Sequence, residues 1–224
     1  MDKAQSFTRP VKKRHRARLF KVGSAKAALA DFDKGHETTC YTFGQFSIID
    51  ALVALMQKTG PVHVVIATWT AASADLRRAQ ELMADDLILS CRWVVDHSFA
   101  NRQPEYLEKM VELFGKDSIR SLKTHAKFML LYNEEWNIVV RTSMNLNENK
   151  RLENMDVIDS EDFCSWHRAL VDGIFSDRRA GDFRDDSQLD LTGIADEKPK
   201  FQCEMGVASR GRVYEKGVAN VGPL

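Results

Sequence analysis

The chain has 224 residues, 44% of them hydrophobic and 29% charged, which is enough for one well-buried core with extensions and short for two full domains. Lys plus Arg balance Asp plus Glu at 32 each, so the chain as a whole is neither polycation nor polyanion, and no apolar run approaches the ~20 residues that span a bilayer. Cys40, Cys91, Cys164 and Cys203 stand apart without a CxxC pair, which argues against a disulfide framework or zinc site and for a reducing, cytoplasmic setting.

The neutral average hides a basic start. Residues 1–30 hold nine Lys and Arg against Asp2 alone. Lys12, Lys13, Arg14, Arg16 and Arg18 are the centre of a basic arm assigned to residues 1–35, and their charge density suits a phosphate backbone. A solvated tail or an Arg-rich targeting segment shares that composition, but no apolar h-region follows, so a secretory signal is not expected. Residues 25–29 are expected to begin a short helix that 31–35 breaks.

Residues 36–176 carry the pattern of a single folded domain. Over 46–58, Phe46, Ile49, Leu52, Val53 and Met56 share one helical face, with Ser47 and Asp50 near its start and Gly60-Pro61 past its end. Residues 62–69 form a β-branched apolar run of strand length, in which His63 reads as a satisfied core histidine. Ser73 and Asp75 precede a helix over 76–84, residues 87–96 form another buried strand, and 104–114 another helix that Gly115 ends. Trp69 and Trp93 are read as core aromatics, and His97 as a structural or solvated histidine.

Two apolar runs, 126–132 and 138–144, then flank Asn133-Glu134-Glu135, which predicts an antiparallel hairpin. A turn centred near Glu135 sets His125 opposite Asn145 and Lys127 opposite Ser143. Side chains two apart on a strand share a face. One end of the hairpin therefore presents an imidazole, an ammonium, a hydroxyl and a carboxamide, a set suited to an anionic tetrahedral group. An imidazole of pKa ~6.5 keeps a neutral nitrogen available to attack phosphorus near neutral pH. Lysine and the neutral donors favour the charge of a phosphoryl transition state. An acid behind the histidine would fix its tautomer, and Asp156, on a short strand expected over 156–159, is the candidate.

Residues 161–175 form the last helix, with Phe163, Trp166, Leu170 and Ile174 on one face. Cys164 and His167 lie one turn apart on it, too few ligands for a metal site. From 177 to 224 the periodicity fades into an irregular tail. The alternation of helices and strands, closed by a hairpin, predicts an α/β sandwich with a central mixed β-sheet flanked by helices.

His125-x-Lys127, Thr142-Ser143-x-Asn145 and Asn154-x-Asp156, in that order, resemble the HxK, GSxN and NxE blocks of the phospholipase D superfamily. Thr142 stands where that family has glycine, and Tyr132 where it has an aspartate. The resemblance implies a phospholipase D-like fold and a covalent phosphohistidine mechanism with no metal or other cofactor. His125 would be the nucleophile, Lys127 and Asn145 would hold the phosphate, Ser143 would support them with Thr142 and Asn154 beside it, and Asp156 would take the place of the family's Glu. That mechanism uses two histidines, and this chain has one HxK block. Similarity to the small bacterial endonucleases of the superfamily therefore implies a homodimer with a shared active site. The basic arm and the absence of a membrane segment favour nucleic acid, DNA or RNA, as substrate. A lipid phosphodiesterase and a non-catalytic nucleic-acid-binding relative are the alternatives.

Overall fold

Alternating apolar runs and 3.6-residue periodicities give a central sheet with helices on both faces. The computed structural model describes residues 24–146 and 151–183, and the backbone of 16–19. The strands are β1 (Arg16–Leu19), β2 (Glu37–Thr42), β3 (Val62–Thr68), β4 (Ile88–Asp96), β5 (Ile119–Leu122), β6 (Phe128–Tyr132), β7 (Asn137–Thr142) and β8 (Glu153–Asp159). The helices are α1 (Ala25–Ala28), α2 (Ile48–Thr59), α3 (Ser73–Ala84), α4 (Phe99–Arg102), α5 (Pro104–Phe114) and α6 (Glu161–Asp177).

The eight strands lie in the order β1-β2-β8-β7-β6-β3-β4-β5. β1 runs parallel to β2, and β3, β4 and β5 run parallel to one another. The central pairs are antiparallel. The expected mixed α/β sandwich is thus the observed architecture. One sheet face presents Val64, Ile66, Trp93, Met129, Leu131, Ile138, Val140, Met155 and Val157 to a continuous core completed by α1, α2, α3 and α5. On the other face α6 buries Phe163, Cys164, His167, Val171 and Ile174, with the His167 ring against Phe128.

Local chemistry sets the helix ends. Ser47 and Asp50 form a reciprocal capping box at the start of α2, Oγ of Ser47 accepting from the Asp50 N–H and the Asp50 carboxylate from the Ser47 N–H. Such a cap contributes about 1 kcal/mol. Gly60 and Gly115 end α2 and α5 at φ +70° and +76°, where any side chain would strain the backbone.

Several sequence expectations shift. β2 and β5 were not expected. The arm drawn over 1–35 ends in core, because Ala25, Ala28, Leu29 and Phe32 are buried. Arg16 and Arg18 lie on the backbone of strand β1, while Lys12, Lys13 and Arg14 fall outside the described residues. The tail assigned to 177–224 begins on the domain, with Arg178 buried, Phe183 packed against the core and its carbonyl accepting from Ser121 Oγ. From 184 onward it too lies outside the described residues. Most consequential is the hairpin register. Phe128 pairs with Arg141 and Tyr132 with Asn137 across a four-residue turn, and the Thr142 N–H donates to the Lys127 carbonyl at 3.2 Å. Lys127 therefore faces Thr142, one residue from the expected pairing with Ser143. A slip of one exchanges the two sheet faces.

Candidate active site

One end of the sheet collects the chemistry. β3 and β4 finish there, β6 and β8 begin there, and β7 ends there, because β3 and β4 run parallel while the successive pairs β3-β6, β6-β7 and β7-β8 are antiparallel. Strand alternation places Lys127 in phase with Met129 and Leu131, Thr142 in phase with Val140, and Glu153 in phase with Met155 and Val157. All these apolar partners belong to the one core. Lys127 and Glu153 consequently share a sheet face where that core meets solvent.

His125 precedes β6 and is exposed. Lys127 Nζ lies 3.3 Å from His125 Nδ1 and donates to the His125 carbonyl at 3.1 Å. Burial pulls the lysine ammonium below its ordinary pKa, and the Glu153 carboxylate opposes that pull. A partly desolvated cation of this kind gains when an anion arrives. Ser143 Oγ donates to the Glu153 carboxylate and accepts from the Asn154 N–H at 3.0 Å. The Ser143 N–H donates in turn to the Asn154 carbonyl. The Asn145 side-chain oxygen is buried with no hydrogen-bond partner among the described residues, an arrangement that costs about 1–3 kcal/mol and recurs at functional sites.

The loop carrying the histidine is anchored from the neighbouring strand end. Asp96 accepts from the Thr124 N–H at 3.1 Å through one oxygen, and from the Ser98 N–H at 3.0 Å and the Ser98 hydroxyl through the other. Burial alone would raise the Asp96 pKa, but the hydrogen bonds from Ser98 and Thr124, with His97 beside them, outweigh it and hold the group below the ordinary carboxylate value. Trp69, at the end of β3, places its ring 5.8 Å from that of His125. The Leu146 N–H donates to the Thr70 carbonyl and the Ala72 N–H to the Leu146 carbonyl, so the segment bearing Asn145 is tied to the one bearing Trp69.

Asp156 stands elsewhere. It is one residue out of phase with Met155 and Val157, in the row Thr39, Asp156, Arg141, Phe128 on the α6 side. Its carboxylate accepts from Thr39 Oγ1 at 2.5 Å and lies 3.7 Å from the Arg141 guanidinium. The acid beside Ser143 and Lys127 is Glu153, which the sequence reading missed. The signal for Glu153 in the sequence is its i, i+2, i+4 phase with the apolar Met155 and Val157.

No family model and no curated protein matches the chain. Solved structures do resemble it. Nuc from Salmonella typhimurium, a phospholipase D family member, is 14% identical with a TM-score of 0.48 over 64% of this chain and 96% of that one. In fold, this chain is similar to a phospholipase D family member. NucT from Helicobacter pylori is 14% identical with a TM-score of 0.49, covering 65% and 99%. Polyphosphate kinase from Porphyromonas gingivalis is 14% identical with a TM-score of 0.48, covering 65% of this chain and 27% of that one.

The two departures from the phospholipase D blocks have local explanations. Thr142 Oγ1 donates to the Asn154 carbonyl at 2.6 Å and accepts from the Met144 N–H at 3.0 Å, so its hydroxyl latches β7 to β8. Tyr132 is at the far end of the hairpin, where its ring stacks on His63 at 5.3 Å and under the Arg168 guanidinium at 4.2 Å. His63 is half-buried there, bonded to Ser90. Trp93 is a core aromatic as expected, whereas Trp69 is half-exposed at the site. His167 points its Nδ1 at the Phe163 carbonyl within its own helix, and burial lowers its pKa. Among the described residues no group of three or more His, Cys, Asp and Glu is arranged to hold a metal ion, and no helix is long and apolar enough to cross a membrane.

Proposed function

We infer that the chain is a phosphodiesterase acting on nucleic acid through a phosphohistidine intermediate, as a homodimer with a shared active site. The observation that carries this reading is the joined set His125, Lys127, Glu153 and Ser143 at one strand-end rim. A neutral ring nitrogen of His125 attacks phosphorus, the P–N bond forms, and the P–O bond to the departing strand breaks. Lys127 and Asn145 bear the growing charge on the non-bridging oxygens. The departing oxygen takes a proton from His125 of the partner subunit, which then accepts one from the water that breaks the P–N bond. Glu153 keeps Lys127 charged and Ser143 oriented. Support for the dimer comes from Tyr41, Phe43 and Leu152, exposed apolar side chains where β2 ends and β8 begins, next to Glu153. Burying such a patch between copies would let two imidazoles face one phosphate.

The test is cleavage of DNA and RNA in excess EDTA by the wild type and by His125→Ala, with sedimentation of both. Expected are a sedimenting dimer, cleavage without added metal, and its loss in the variant together with an acid-labile phosphoenzyme seen only in the wild type. Undiminished cleavage by His125→Ala, or an active monomer, would contradict the reading.

A further inference from the structure

Arg102 closes the short helix α4 and lies over Trp69, its guanidinium carbon 3.7 Å from the ring centroid. The same ring is 5.8 Å from the His125 imidazole, so the guanidinium and the imidazole are within about 9.5 Å of each other. Three constraints hold the guanidinium in place. Nε donates to Ser98 Oγ at 2.9 Å, Nη2 donates to the Trp69 carbonyl at 2.7 Å, and the indole supports the plane. Ser98 is itself fixed by Asp96, the carboxylate that also anchors Thr124 beside the nucleophile.

Two of the five N–H groups of a guanidinium are used in this way, which leaves three donors for a ligand. No carboxylate lies within ion-pair distance of Arg102 among the described residues, unlike Arg78, Arg92 and Arg141. The side chain is exposed, yet its rotamers are already restricted. Ordering cost on binding is accordingly small, the condition under which one arginine adds most to affinity.

We propose that Arg102 is the binding residue for the phosphate that neighbours the scissile one, and that it selects a polynucleotide, whose backbone carries that second charge, over a diester with a single phosphate. The proposal rests on the phosphodiesterase reading for its place next to His125. A planar, weakly hydrated cation held within about 9.5 Å of the nucleophile sets the strand's position without reading its bases. Trp69 contacts both groups, supporting the guanidinium at 3.7 Å and bordering the imidazole at 5.8 Å.

The experiment measures steady-state cleavage of a short single-stranded oligonucleotide, and fluorescence anisotropy of a fluorescein-labelled copy, across a salt series, on full-length wild type, Arg102→Ala, Arg102→Lys and Trp69→Ala. Arg78→Ala, an exposed cation paired with Glu81 on α3, controls for net charge. Arg102→Ala is expected to raise KM and Kd about tenfold with kcat within about threefold, and to flatten the log Kd against log salt slope by about 0.7, the value of one single-strand phosphate contact. Arg102→Lys should recover only part of the affinity, and Trp69→Ala should resemble Arg102→Ala in slope. If the wild type cleaves but Arg102→Ala matches Arg78→Ala in KM, Kd and slope, the proposal is overturned and the phosphodiesterase reading stands. If no protein cleaves, the anisotropy series still decides: a flattened slope in Arg102→Ala supports the anion site while the catalytic reading falls, and an unchanged slope overturns the site as well.

Discussion

Asp96→Asn isolates the junction that holds the histidine loop to the sheet. Asp96 is 6% exposed and accepts three hydrogen bonds, two from Ser98 and one from the Thr124 N–H. Asparagine can keep an oxygen toward Ser98, which turns its NH2 group against the Thr124 N–H. Hydrogen bonds to a charged acceptor contribute about 1.5–3 kcal/mol, so loss of the Thr124 bond and of the charge costs about 2–3 kcal/mol. For a chain of this size that lowers Tm by about 5–10 °C. The sign with pH follows from the depressed pKa of Asp96 in the folded state. Its stabilisation is present above the unfolded carboxylate pKa of ~3.9 and is lost as pH falls through the lower folded value. Urea denaturation followed by tryptophan fluorescence should therefore show a gap of about 2–3 kcal/mol between wild type and variant at pH 7 that closes as the pH falls below the unfolded carboxylate value of ~3.9. A gap below about 0.5 kcal/mol at neutral pH, or one that persists undiminished in acid, would refute the reasoning.

Three further outcomes follow from the same geometry. Glu153→Gln should lower kcat about 10²-fold with KM little changed, while Asp156→Asn, which loosens the Thr39 and Arg141 contacts instead, should lower it less than tenfold; the reverse ranking would restore Asp156 to the site. Lys127→Met should abolish cleavage yet raise Tm. The lysine's folded pKa lies below its unfolded value, so its charge destabilises the fold at neutral pH and the variant's advantage shrinks as pH rises toward ~10.4, a trend readable by calorimetry. Trp93→Ala, removing a fully buried indole from the core, should cost about 3–5 kcal/mol in urea unfolding without a specific effect on substrate affinity.

The elements most legible in the sequence are those whose apolar residues repeat over several turns or along a full strand. α5 has the expected bounds, and α2, β3, β4 and α6 lie within a few residues of theirs. β2 is hidden because its inward positions are partly threonines: Thr38, Cys40 and Thr42 are buried, but only one of the three is apolar. β5 is four residues long at the sheet edge and contains Arg120 and Ser121, too little for a period to emerge. The hairpin itself is legible and its register is not, since Asn133, Glu134, Glu135 and Trp136 all belong to the turn and shift its centre by half a residue. That shift decides pairing at the site. His125 and Lys127 are close, as expected from their i, i+2 spacing, whereas the supporting acid depends on where β8 starts. A strand beginning at Glu153 instead of Asp156 brings a different carboxylate to the shared face.

The strands supply the interior, and the candidate residues stand at their ends or just beyond them. The sheet thus behaves as a rack loaded along one rim. Foldedness and chemistry answer to different amino acids, so crossovers at that rim can lengthen, shorten or exchange side chains, and substrate preference can drift, while the apolar layers beneath keep the same protein standing.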